Sequence, residues 1–407
     1  MHASPLARAH GGVRHATRVS SGPDSRPHAS SRLASIARSK SNNVEEAQED
    51  ASADAPATPR LARRAALGVL ASAAVALVPR AAGAAEARDA SDSSNASTLR
   101  VSSAELKADG LSASQETKRT VLVLGATGRV GAASTLALLR EGHDVRALVR
   151  DVSRFAETLS PELSRFVEKG ALVPIVGDVS RMSTTECAEA MAGCHAVISA
   201  LGHRLSREGI FGEPRFLVRD AAELVFRAAE TLEAVEDAGD DDAMTFAEDT
   251  ETSVAAIVAA REAARARAQR ARPRRFIALA SAGADAPRGG DPARSLPERA
   301  LIFALEKALP PYADTLAQVR FVSEQKSGAV LAWTVLRPDD FVDVADAPST
   351  TPWSLYSTLQ NGLFDAGTSS VVNIGDAMAT LATCDDAKYA PWAGKMPQML
   401  DDERRRR

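Results

Sequence analysis

The stretch TVLVLGATGRVG, Thr120 to Gly131, constrains this chain more than any other part of its 407 residues. TVLVL is aliphatic or β-branched throughout, as a strand is when both faces of a parallel sheet are covered. Three glycines follow at GxxGxxG spacing, and a helical pattern then runs from about Val130 to Arg140 and closes at Glu141–Gly142. A strand, a glycine turn and a helix in that order bring backbone amides and the positive end of a helix dipole to one point, where an anion can bind. Gly125 permits the tight turn, Gly128 removes a side chain where phosphates would lie, and Gly131 lets the helix pack close to the strand. Ala126, Thr127, Arg129 and Val130 complete the candidate loop. Asp144 to Arg150 (DVRALVR) reads as the second strand of a βαβ unit.

The end of that second strand selects the nucleotide. An NAD site places an acid there for the ribose 2′-hydroxyl, whereas this chain has Arg150, a guanidinium suited to a 2′-phosphate, followed by Asp151. NADP(H) is the expected cofactor, and Asp151 keeps NAD open. Arg129 either joins the same phosphate site or faces solvent. Four more apolar runs follow: Ala171 to Val176, Ala196 to Ala200, Phe276 to Ala280 and Trp333 to Leu336. After the first, Asp178 and Val179 are placed beside the adenine; at the end of the second, Ala200, Leu201 and Gly202 pass the cofactor. Strands alternating with helical stretches predict an α/β fold, a doubly wound parallel sheet of Rossmann type.

Apolar residues make up 45% of the chain and aromatics 4%, so a sizeable aliphatic core is available. A formal charge of −4 argues against general attraction to nucleic acid. Cys187, Cys194 and Cys384 form no CxxC pair and no zinc spacing, which predicts neither a disulfide framework nor a metal site. Met1 to about Asn43 is rich in Arg, His, Ser and Ala with a single acid, Asp24, the composition of an organelle transit peptide. Arg63–Arg64, the apolar run Ala65 to Val78 and small residues through Ala87 resemble a twin-arginine export signal. That run is too short for a bilayer span, which takes about 20 residues. The chain therefore divides into a disordered or cleaved extension (1–87), a linker (88–118) and one domain (119–400) with an insertion at about 205–252. The address is a plastid, in the stroma or the thylakoid lumen.

GATGRVG, RALVRD, GDVS, VISALG, ALASAGAD, WTVLRPDDFVD and NIGDAMATL…YAPWAGKMPQML run in an order that resembles the atypical short-chain dehydrogenase/reductases. The resemblance spans about Arg119 to Leu400 and is closest to flavin/biliverdin reductase-like proteins and nitrogen-metabolite-repression-type regulators. It implies a Rossmann domain binding NAD(P)(H), a small C-terminal substrate region, and Ser281 as the active-site serine. The usual partner is a tyrosine with a lysine four residues later, whose charge lowers the phenol's pKa. Tyr312, Tyr356 and Tyr389 are followed at that spacing by Leu316, Gln360 and Ala393, so reduction by that dyad is excluded. Tyr312, Ser323 and Lys326 occupy the segment where the dyad helix belongs. Tyr312, after Pro310–Pro311, reads as a loop or helix start, and Lys326 as a cation at a helix C-terminus. Asp339–Asp340 stand where relatives carry glycines, either repelling an anionic substrate or facing solvent.

Within the insertion, Glu213 to Glu233 reads as a helix, Asp237 to Asp249 as an acidic loop, and Ser253 to Arg272 as the family's regular helix. Arg261, Arg265, Arg267, Arg270, Arg272, Arg274 and Arg275 make a basic patch, read as a solvated face without the aromatics of a nucleic-acid module. Two functions follow: an NADP(H)-dependent reductase of a small organic compound, or a non-catalytic NADP(H) sensor or assembly factor that docks a protein partner through the insertion.

Overall fold

A buried aliphatic run can satisfy its backbone polar groups only by pairing with other strands, and all six predicted strands do so. The computed structural model describes residues 98–108, 118–204, 206–244, 271–287, 289–325, 330–342 and 351–402. The proposed transit peptide and twin-arginine-like segment lie outside the described residues. Strand β1 (Arg100–Ser102) and helix α1 (Ser103–Lys107) come first. The βαβ unit follows as β2 (Thr120–Leu124), α2 (Arg129–Arg140) and β3 (Asp144–Val149). Then come α3 (Val152–Thr158), α4 (Pro161–Glu168), β4 (Leu172–Val176), α5 (Thr184–Met191) and β5 (Ala196–Ser199). After α6 (Arg207–Phe211) and α7 (Leu217–Met244), β6 (Arg275–Leu279) enters the sheet.

Helices α8 (Leu296–Ala308) and α9 (Pro310–Glu324) lead to β7 (Ala332–Pro338). The C-terminal region holds β8 (Asp340–Val342), β9 (Trp353–Tyr356), β10 (Thr368–Ser370), α10 (Val371–Thr383), α11 (Asp386–Tyr389) and β11 (Gln398–Asp401). Parallel pairing gives the order β4-β3-β2-β5-β6-β7, the doubly wound arrangement, with strand order reversing between β2 and β5. β11 adds in parallel to β7, and β9 and β1 complete that edge antiparallel, while β8 and β10 form a separate parallel pair.

Each face of the sheet carries its own apolar layer. On one side, α10 packs on α2 so closely that a Cβ on Gly375 would lie 2.5 Å from the Ala133 Cβ. On the other, α7 buries Ala222, Val225, Phe226 and Ala229 against the layer that includes Leu122, Val197 and Phe276. Helix α7 thus covers the sheet after β5; Ser253–Arg272, assigned as the family's regular helix, lies for the most part outside the described residues. The acidic loop expected over Asp237 to Asp249 is corrected in its first part: α7 continues through it to Met244, with no proline to stop the helix.

The linker is interrupted too. Ser102 and Glu105 form a capping box, Leu106 is buried, and Lys107 pairs with Asp376 of α10 at 2.6 Å, docking β1 and α1 onto the domain. The basic patch loses Arg275, which is buried, donates to the Leu381 and Cys384 carbonyls, pairs with Asp386 and stacks over Tyr389 at 4.2 Å. Arg272 is likewise taken up, by Glu233 at 2.9 Å. Arg261, Arg265, Arg267 and Arg270 lie outside the described residues. All three cysteines, Cys187, Cys194 and Cys384, are buried and free.

Candidate dinucleotide site

The loop after β2 requires its glycines for reasons visible atom by atom. Gly125 has φ +79°, and a Cβ there would lie 2.7 Å from the Ala200 carbonyl oxygen at the end of β5. A Cβ on Gly131 would sit 2.1 Å from the Gly125 carbonyl oxygen, so only glycine lets α2 start this close to the strand. Gly128, the N-cap of α2, is exposed, bears no capping side chain and is followed by no acid in the first turn. The amides at that helix start are thus presented to an anion with the helix dipole behind them. Ala126 and Val130 bury their side chains and serve the loop through backbone alone, while Thr127 and Arg129 are exposed. This backbone-lined cradle fits a dinucleotide diphosphate.

On the adenine side, Arg150 directly follows β3 and is exposed. Asp151 is its neighbour in sequence only. The Asp151 carboxylate is the N-cap of α3 and accepts from the Ser153 amide at 2.8 Å and the Arg154 amide at 3.1 Å. Asp178 closes an analogous turn after β4, accepting from the Ser180 hydroxyl at 2.7 Å. Burial pushes the Asp178 carboxyl up, but the Ser180 donors, aided by the Arg150 and Arg181 guanidiniums, hold it below its ordinary range. Arg181, absent from the sequence reading, therefore joins Arg150 near Asp178. Asp178 and Val179 do not share one cavity: Asp178 lines a depression of about 450 Å³ and Val179 one of about 260 Å³, with Met182 common to both.

On the other side of the crevice, Ser281 is half-buried just past β6. A Cβ on Gly283 would lie 3.4 Å from Ser281 Oγ and 2.6 Å from Tyr312 Oη, so the two hydroxyls flank the same vacant position. Tyr312 sits at the start of α9, as expected, and donates to the Gly283 carbonyl at 2.9 Å. Burial pushes its phenol up to about 12. Leu316, one turn along, is buried and supplies no cation. Ser323 is buried and donates to the Arg320 carbonyl, and Lys326 lies outside the described residues.

Leu201 and Gly202 lead from β5 into His203, which the sequence reading missed. Its Nδ1 bonds the Gly209 carbonyl at 3.1 Å and its Nε2 bonds Asp314 at 2.8 Å, with side-chain exposures of 7% and 0%. Asp314 also accepts the Val218 and Arg219 amides at 2.8 and 2.9 Å, joining α9, the start of α7 and the β5 loop. The hydrogen bond to the Asp314 carboxylate raises the imidazole pKa against the effect of burial. The signal available in the sequence was a titratable residue directly after a strand that ends at the crevice.

Of the two alternatives for Asp339–Asp340, facing solvent holds for Asp340 only, and Asp339 follows neither. Asp340 is exposed; Asp339 is buried and holds Asn361, Gly367 and Gln398. Burial raises the Asp339 carboxyl despite those donors.

Solved structures similar to this chain are distant in sequence. A protein from Lactobacillus casei is 17% identical, with 69% of this chain and 99% of that one covered and a TM-score of 0.44. The oxidoreductase ylbE from Lactococcus lactis is 16% identical, with 69% and 90% covered and a TM-score of 0.39. Gre2 from Candida albicans, in complex with NADPH, is 11% identical, with 69% and 78% covered and a TM-score of 0.42. No curated protein matches the sequence. The family match is broader: residues 125–385, from the first glycine of the loop to the residue before α11, match the NAD(P)H-binding family, and the chain belongs to it.

Proposed function

We propose that this protein is an NADP(H)-dependent reductase of a small organic substrate that works without a Tyr-x3-Lys dyad. One observation carries the choice of nucleotide: at the end of β3 the acid is engaged as a helix cap, while Arg150 next to it is exposed. A guanidinium there pairs with a 2′-phosphate through charge-assisted hydrogen bonds. Arg181 adds a second cation beside it.

When bound, the reduced nicotinamide supplies a hydride. Ser281 offers a hydroxyl at the end of β6 to hold a substrate oxygen. The Tyr312 phenol, with its pKa near 12, stays protonated at neutral pH, so it can donate but cannot act as a base. That state suits reduction and opposes the reverse oxidation. The second reading, a non-catalytic NADP(H) sensor, draws on the same tyrosine, whose hydroxyl already donates its hydrogen bond to the Gly283 carbonyl. A plastid location rests on the N-terminal sequence; loss of everything before Ala87 would leave β1 and the domain intact.

Calorimetry with NADPH and NADH tests the nucleotide. Arg150→Ala is expected to weaken NADPH binding about tenfold and leave NADH nearly unchanged. Equal losses for both would remove the argument for NADP. NADPH oxidation with flavin, quinone and carbonyl acceptors then separates the readings: turnover eliminates the sensor, and tight binding without turnover eliminates the reductase.

A further inference from the structure

Helix α8 departs from the usual pattern of a surface helix: its inner face holds partly buried Leu301, Ile302 and Leu305 beside two acids, and its outer face carries large apolar residues as well. Its sequence is LPERALIFALEKA, and the one buried residue in it is Glu298. Leu296 is 76% exposed and Phe303 62% exposed. A helix that packs normally turns its apolar stripe to the core and its acids to water.

The acids of α8 are both turned away from its outer face. Glu298 accepts from the Ser295 amide and hydroxyl and from the Leu363 amide at 2.8 Å. Glu306 pairs with Arg320 of α9 at 3.0 Å. The exposed positions Leu296, Arg299, Ala300, Phe303 and Lys307 recur at helical spacing and form one face. Its two charges are both positive, and the Lys307 ammonium lies 5.5 Å from the Phe303 ring centroid. Phe364, 54% exposed, follows the Leu363 amide that binds Glu298 and extends the apolar surface. Asp365 beside it is the acid at the rim, accepting from the Gly362 amide.

We propose that α8 lies on an anionic lipid surface, Leu296 and Phe303 entering the acyl boundary while Arg299 and Lys307 meet phosphate headgroups. A bilayer interface offers negative charge in one plane and an apolar layer a few ångströms beneath it, the arrangement that cations and large apolar groups on one helix face complement. The long stems of Arg299 and Lys307 can lie along the helix with their charges at headgroup level. The inference is independent of the reductase reading, since no residue of the dinucleotide site lies on α8.

The test uses the full chain and vesicles of phosphatidylglycerol and phosphatidylcholine in equal parts, compared with phosphatidylcholine alone. Phe303→Trp reports on α8 directly, because Trp333, Trp353 and Trp392 are all buried. Its emission is expected to shift to the blue with anionic vesicles and stay unchanged with neutral ones. Leu296→Glu with Phe303→Glu should lower vesicle partition at least tenfold, and Arg299→Glu with Lys307→Glu about fivefold or more per charge. An unshifted emission overturns the proposal, as does partition that ignores both double substitutions and so belongs to the arginine-rich N-terminus. Sedimentation showing that α8 pairs two copies of the chain, with loss of pairing in the glutamate variant and no lipid-dependent shift, also overturns it. Should the glutamate variant fail to fold, the Phe303→Trp emission decides alone.

Discussion

The glycine loop after β2 and the cluster beyond β6 and β7 lie at the same end of the parallel sheet but are made of different material. The loop is backbone: three glycines, a helix start and buried alanine and valine side chains, all within Gly125 to Gly131. The cluster is side chains bonded across long stretches of chain. His203 and Asp314 are 111 residues apart, Asp339 and Gln398 59, and Arg337 and Asp291 46. A site of the first kind tolerates change in its side chains and fails when a Cβ is added. One of the second kind fails when a single partner is removed, since its remaining charge stays buried.

The strongest way to break the contrast is Asp291→Ala. Arg337 is fully buried and bound to both Asp291 oxygens, at 2.6 and 3.0 Å, and Asp291 also holds the Ala286 and Leu359 amides. Leaving that guanidinium unpaired should cost about 3–5 kcal/mol in urea unfolding. A loss within about 0.5 kcal/mol, the scale of an ordinary surface change, would mean the cluster does not hold this end of the sheet together.

Gly131→Ala probes the other region. The added methyl would meet the Gly125 carbonyl at 2.1 Å, so α2 must retreat from β2. Overpacking of this kind costs about 1–3 kcal/mol. NADPH affinity should fall at least about tenfold, equivalent to about 1.4 kcal/mol. Unchanged affinity would separate the helix start from the cofactor.

The smallest effect is a pH dependence, and it sharpens the comparison because two histidines work in opposite senses. His203 has a raised pKa in the folded chain, so its stabilisation is complete below the free value of 6.5 and is lost as pH rises through the folded value. His195, which burial and then Arg119 and Arg275 depress to about 3, is unfavourable to protonate; stability falls as pH drops below 6.5. Stability should therefore decline on both sides of that value. His203→Gln is expected to flatten only the alkaline side, and an unaltered alkaline slope would remove His203 from the account.

The sequence reading located the six central strands to within a residue or two, because each is a short aliphatic run whose pattern is local. It read the loop for the same reason: φ at Gly125 and the approach at Gly131 are properties of neighbouring residues. It read Glu213 to Glu233 as a helix but not that this helix runs on through Asp237 to Met244, because the acidic stretch carries turn-like residues whose helical state depends on the helix before it. It took Arg275 for a surface charge because arginine carries no sequence mark of the carbonyls it will meet at the end of α10. It passed over His203, whose partner stands on α9.

What the sequence determined by itself was the parallel α/β plan, the dinucleotide loop, the guanidinium at the end of β3 and the absence of the Tyr-x3-Lys dyad. All of these are readable within single segments. Only the tertiary structure decided that Asp151 caps a helix, that Tyr312 and Ser281 flank Gly283, that Asp314 holds His203, and that α8 turns its acids inward and its phenylalanine outward. Those outcomes depend on which distant atoms share a buried volume, where an unpaired charge or donor is costly, and no local pattern encodes that choice.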